Sequence, residues 1–201
     1  MVRKVKLGVR NLIINVIPIL FFYFEIIVLG LPKYSLFLLI INFFLILISS
    51  IFLEKFNNSF TLVKEQLLID IMSIFTNFFL ISGIYIYLHG NGTLVSYSNS
   101  LIFLLINLIN IFNYLLRQSD DNSLSNMRKK TSVIIILINI IFSLVIIYIP
   151  IFNKLFNTIT LYLKEIIVLL ILSYIFVCWY DIIKIVRRRN NEQKDKKNKK
   201  E

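Results

Sequence analysis

Six unbroken apolar runs, each near the ~20 residues a helix needs to cross a bilayer, limit what this chain can fold into. They occupy residues 11–30, 34–53, 66–88, 100–116, 132–150 and 164–186. Within each run the apolar residues are contiguous, whereas the strands of a membrane barrel alternate apolar and polar positions. Turn residues are scarce as well: 5 Gly and 3 Pro in 201 residues are too few for a barrel of many short strands. A water-soluble fold cannot hide a hydrophobic fraction of 58%, which exceeds the ~45–50% of ordinary globular chains. Lipid therefore has to supply part of the solvent. The expected fold class is all-α, a polytopic membrane bundle of about six transmembrane helices over residues 1–186, followed by a basic, disordered tail at 187–201.

Charge placement orients this bundle. A formal net charge of +11 would suit nucleic acid, but the basic residues cluster beside the apolar runs and in the tail. If both ends lie in the cytoplasm, that face holds Arg3, Lys4, Lys6, Arg10, Lys55, Lys64, Arg117, Arg128, Lys129, Lys130 and the C-terminal group. Only Lys33, Lys154 and Lys164 fall on the other side, so all but three of the 22 Lys and Arg share one face. The positive-inside bias then predicts an N-in, C-in multi-pass protein of the cell membrane, with the lipid bilayer as its first partner and no nucleic acid. The basic start is followed by an apolar run too long for a signal-peptide core and without a small-residue cleavage site. Gly30-Leu31-Pro32 closes a tight hairpin, because proline lacks the amide donor and turns the residue before it away from helix. His89-Gly90-Asn91-Gly92 marks another turn. Residues 153–163 are expected to form a short interfacial helix on the outer side.

Polar groups within the runs need a reason, since an ionisable residue at mid-helix costs ~2.5–3.5 kcal/mol or more in lipid. Glu25 is the deepest, seven residues after Pro18, whose missing amide leaves a carbonyl near Ile14 without its helical donor. A carboxylate beside free carbonyls suits a hard cation or a proton; a protonated Glu25 bonded to a neighbouring helix fits equally. Asp70 stands one turn into the third run, where it can snorkel to the interface. Asp181 and Lys184, three residues apart, can form an ion pair on one helix face. Asn107, Asn110 and Asn113 recur on one face of the fourth run. With Asn15, Asn42, Asn77 and Asn139, they give almost every helix a carboxamide. Such groups act as packing glue, at ~0.6 kcal/mol per interhelical bond, or line an ion path with amide oxygens. The ion-path candidates are Glu25, Asn15, Asn42, Asn107 and Asn110; Pro18, Pro150, Asp181 and Lys184 are assigned structural roles.

Soluble catalytic chemistry finds no footing. One His and one Cys (Cys178) cannot build a zinc site or an intrachain disulfide. There is no Gly-rich phosphate loop and no GxSxG. No cofactor, no metal and no enzymatic activity of the chain by itself are expected.

The last two runs carry a recognisable pattern. Tyr148-Ile149-Pro150 is followed by Phe156 and Leu161, and the final helix closes on Asp181-Ile182-Ile183-Lys184 and the basic run Arg187-Arg188-Arg189. This resembles the C-terminal membrane domain of cation-transporting P-type ATPases. The stretch 100–119, with Phe103, Asn110, Asn113 and Arg117-Gln118-Ser119, is similar to that family's eighth helix. Val9-Arg10-Asn11 and the break at Gly30-Leu31-Pro32 are like its fifth-to-sixth hairpin. The resemblance implies the family's last six helices, as a stand-alone or truncated, degenerate chain. Two features depart from it. Where the family carries Asn-x-x-Thr-Asp, Asn42 is followed by Phe43, Phe44, Leu45 and Ile46; and Asn15 is followed by Val16, Ile17 and Pro18, with Glu25 two turns further on. The DKTG phosphorylation motif, the TGE loop and the nucleotide domain are absent from the sequence. The resemblance implies support of cation transport together with a partner chain that carries the P-type ATPase cytoplasmic domains. The alternatives are a non-catalytic membrane scaffold or regulator, and a permease subunit of another transporter coupled through residues 54–65 or 117–131.

Overall fold

In the computed structural model, the described residues are 3–5, 7–56, 60–62, 64–117 and 130–198. A three-residue strand β1 (Arg3–Val5) precedes helices α1 (Leu7–Leu29) and α2 (Leu36–Phe56). Strand β2 (Phe60–Leu62) leads into α3 (Lys64–Gly90) and α4 (Val95–Arg117). Helices α5 (Lys130–Tyr148), α6 (Pro150–Phe156) and α7 (Leu163–Asn198) complete the chain. Among the described residues four helices, α1 to α4, are long and apolar enough to cross a membrane, and α5 with α6 makes a fifth if the bent pair is one span.

The bundle is built around α4, which packs against α1, α2, α3, α5 and α7. Nearly all of its side chains from Ser98 to Arg117 are buried. In a soluble protein the central helix is the most apolar one. Here it carries Ser98, Asn99, Ser100, Asn107, Asn110 and Asn113, all buried, because lipid takes the apolar faces and the interior is the place where amides find partners. The outer helices correspondingly turn Phe24, Val28, Phe37, Phe79 and Ile151 outward, each more than half exposed.

Turn chemistry follows the sequence closely. Gly30 adopts φ +64°, and the Leu31 amide bonds back to the Ile26 carbonyl at 3.1 Å, ending α1. Tyr85 of α3 donates its hydroxyl to the Pro32 carbonyl, and Phe22 packs edge-on against both Tyr34 and Tyr85. Near the other end of this hairpin α1 and α2 touch at Gly8. A Cβ there would collide with the Ser50 carbonyl and lie 2.9 Å from the Glu54 Cβ. Pro18 is buried inside α1, which runs through it.

Four expectations are adjusted. The short outer helix begins at Pro150, earlier than residue 153, and ends at Phe156; residues 158–162 are non-helical. Proline at the first helical position suits a new helix but cannot extend α5, and the two axes meet at 84°. Second, the all-α bundle carries one short strand pair beside it. β1 pairs antiparallel with β2, Lys4 opposite Thr61, tying the start of α1 to the α2–α3 connection. Third, α7 continues as helix to Asn198, past the expected start of a disordered tail at residue 187. No Gly or Pro interrupts that stretch, and its Lys, Arg, Gln and Glu are good helix formers. Fourth, α1 starts earlier and α4 starts at Val95, not residue 100, which lengthens both beyond their apolar runs. The connection 118–129 lies outside the described residues, as do the side chains of Asp181 and Lys184, so the ion pair assigned to them does too.

Candidate functional site

Of the five ion-path residues, Asn15 and Asn110 join one interior network, Asn42 and Asn107 are buried beside it, and Glu25 faces elsewhere. α1 presents Asn11 and Asn15 one turn apart. The Asn15 amide donates to the Asn11 backbone carbonyl at 2.8 Å and to Asn11 Oδ1 at 3.2 Å, and Asn11 Nδ2 reaches Ser50 Oγ of α2 at 3.0 Å. From α4, Asn113 Nδ2 donates to Asn15 Oδ1 at 2.9 Å. One turn further along α4, Asn110 Nδ2 lies 3.1 Å from Ser49 Oγ and 3.2 Å from Asn139 Oδ1 of α5. Asn139 Nδ2 in turn reaches Ser49 Oγ at 3.3 Å and the Ile135 carbonyl at 2.9 Å. Since Ser49 and Ser50 are adjacent, two amide chains meet on α2 and stitch α1, α2, α4 and α5 together. Every one of these side chains is at most 4% exposed.

Asn107 sits on the same face of α4 but bonds back to the Phe103 carbonyl at 3.1 Å. Asn42 is held by its hairpin, its Nδ2 donating to Tyr34 Oη at 3.0 Å. The Oδ1 atoms of Asn42, Asn107 and Asn110 are all buried and accept no hydrogen bond from the described residues. A buried amide oxygen without a donor costs about 1–3 kcal/mol, so each is a place for water or a weakly held cation. Glu25 does not join them. It lies one turn from the end of α1, in a lipid-facing groove of about 330 Å³ lined by Phe21, Phe24, Phe75 and Phe78. That location removes it from the free carbonyl near Ile14, about three turns below.

A second cluster was not expected. Asp70 of α3, instead of snorkelling by itself, accepts Arg10 Nε at 2.5 Å, Arg10 Nη2 at 2.8 Å and Arg117 Nη1 at 2.9 Å. Arg117 Nη2 also reaches Ser73 Oγ at 3.3 Å. The guanidinium side chains are 4% and 1% exposed. In the sequence these arginines look like ordinary flanking charges; the available signal is that both are Arg, the residue suited to bidentate, buried pairing. Ser49, Ser50 and Asn11 were missed as well, although Ser49 stands two turns after Asn42 on the same helix face.

The carboxylates whose side chains are described stand within two turns of a helix end: Glu25 and Glu165 at one end of the bundle, Glu54 and Asp70 at the other. No group of three His, Cys, Asp or Glu converges among the described residues. The interior thus offers neutral oxygen and amide groups, a chemistry for polar packing, water or a monovalent ion. A divalent ion would call for several carboxylates.

Apolar spans around a core of buried amides, with one buried ion cluster toward one end, define a multi-pass helical membrane protein. Residues 57–186 match the family described as Cation transporting ATPase, C-terminus, and the chain belongs to that family. The match takes in β2, α3 to α6 and α7 as far as residue 186, and starts after the α1–α2 hairpin. No curated protein sequence matches the chain.

Proposed function

We propose that this chain is the membrane part of a cation pump, working with phosphorylation and nucleotide-binding domains supplied from outside residues 1–201 by a partner chain. The family match carries this reading, and the amide network across α1, α2, α4 and α5 supports it by giving the bundle an interior polar enough to admit an ion. In this reading the bundle has six spans, with α7 as the last, and sits in the cell membrane with both ends in the cytoplasm. Accessibility reporters at His89 and Glu201 should label from opposite sides of sealed membranes; labelling from one side defeats the topology. The functional test is co-purification with a chain bearing a phosphorylation Asp, followed by cation uptake by the reconstituted pair. Isolation as a lone species, with no ion-dependent activity in any mixture, rules the pump reading out.

A second reading, a non-catalytic membrane scaffold, is favoured by one observation: the carboxylates whose side chains are described lie near helix ends and none in the amide network. Asn110→Leu separates the two. The pump reading requires a loss of cation uptake of tenfold or more, on the order of 1.4 kcal/mol, with the bundle still folded. The scaffold reading requires no change.

A further inference from the structure

A groove between α3, α4 and α7 is built differently from the rest of the lipid-facing surface. Its volume is about 360 Å³, and its floor is Leu88, Leu101 and Leu169, each less than 9% exposed. On α7 it runs from Lys164 to Leu172, which at the helical rise is about 12 Å. That is close to the hydrocarbon depth of one leaflet, about half of a ~30 Å core. A transmembrane helix would need a groove twice as long.

Polar groups stand only at its mouth. Glu165 is fixed there, accepting the Tyr97 hydroxyl at 2.7 Å and the Tyr162 amide at 2.7 Å. Beside it Lys164 is exposed, with its ammonium 5.7 Å from the Tyr162 ring centroid and no carboxylate partner among the described residues. Tyr87, 70% exposed, adds an aromatic edge. The mouth therefore offers one cation and one anion side by side, with aromatic rings that sit well at headgroup depth. A free anion would meet the carboxylate, and a free cation would meet the ammonium.

We propose that this groove holds one zwitterionic phospholipid of the phosphatidylethanolamine class. Its phosphate faces Lys164, its ammonium faces Glu165 and the tyrosine rings, and one acyl chain lies on the leucine floor. The occupant comes from the leaflet at the Asn91 end of the bundle. The lipid closes the gap between α3 and α7 and completes the packing of that end.

The chain has one tryptophan, which makes a quenching experiment direct. In a Trp179→Phe background, Leu172→Trp places a reporter at the inner end of the groove. The full chain is reconstituted in bilayers with increasing fractions of phosphatidylethanolamine or phosphatidylglycerol brominated at mid-chain. Quenching should rise earlier with the brominated ethanolamine lipid. Glu165→Gln, which removes the group facing the ammonium, should cut that preference about fivefold, the weight of one exposed ion pair, whereas Lys164→Gln should weaken quenching by both lipids. As a second measurement, native mass spectrometry of the detergent-solubilised protein should show one retained ethanolamine lipid. Val168→Trp, which fills the groove from an exposed wall position, should remove it. Equal quenching by the two lipids, a preference unchanged by Glu165→Gln, or retention unchanged by Val168→Trp each overturns the proposal.

Discussion

Replacing Asp70 with Asn tests the structural reading most severely. The carboxylate accepts three charge-assisted bonds, from Arg10 at 2.5 and 2.8 Å and from Arg117 at 2.9 Å. Both guanidinium groups are almost completely buried, whereas Asp70 keeps 13% exposure. Breaking a buried ion pair by removing one partner costs about 3–5 kcal/mol, because the other charge stays behind in a poorly solvating site. The partial exposure of Asp70 argues for the low end, so Asp70→Asn should destabilise by about 3 kcal/mol. It leaves two like charges on α1 and α4 facing an amide that can accept at one oxygen only. Unfolding in mixed micelles of increasing denaturing-detergent fraction gives the difference. A cycle with Arg117→Gln gives the coupling, expected at ~1–3 kcal/mol for groups in one network. A loss below about 1 kcal/mol, or additive single variants, refutes the idea that Asp70 binds α1, α3 and α4 together.

Other outcomes follow from the same contacts. Gly8→Ala should loosen the α1–α2 hairpin by about 1–3 kcal/mol, since the new Cβ meets the Ser50 backbone carbonyl and not a movable side-chain end; disulfide crosslinking of a cysteine pair across the hairpin should slow accordingly. Asn139→Leu removes the bonds to Ser49 and from Asn110, and thermal unfolding in detergent should register a cost of about 0.6–1.7 kcal/mol. Glu25→Gln, which changes a carboxylate in a lipid-facing aromatic groove, should leave any cation uptake by the reconstituted pair unchanged within about twofold; a large loss would show that Glu25 lies on the ion path.

Much of the site was legible as a set of residues but not as a set of partners. Asn15, Asn107 and Asn110 stand out in the sequence because carboxamides are costly in lipid, and that cost alone predicts that they turn inward. Which of them meet is a different matter. Asn113 reaches Asn15 across 98 positions and Asn139 reaches Ser49 across 90, and no local periodicity encodes such distances. Glu25 shows the opposite failure: its depth was judged from the apolar run at 11–30, but α1 begins at Leu7 and ends at Leu29, which places the carboxylate one turn from a helix end.

The sequence by itself determined that lipid is the solvent, that the spans are helices, and where the chain turns. Each of these follows from local physics: backbone groups satisfied within a segment, proline without a donor, glycine at positive φ. Tertiary structure alone decided that α4 is the centre, that Arg10 and Arg117 share Asp70, and that three residues at each end of the first hairpin pair as strands. Apolar helices in lipid have no hydrophobic force to choose among partners, so the choice falls to a few polar contacts between residues far apart in the chain.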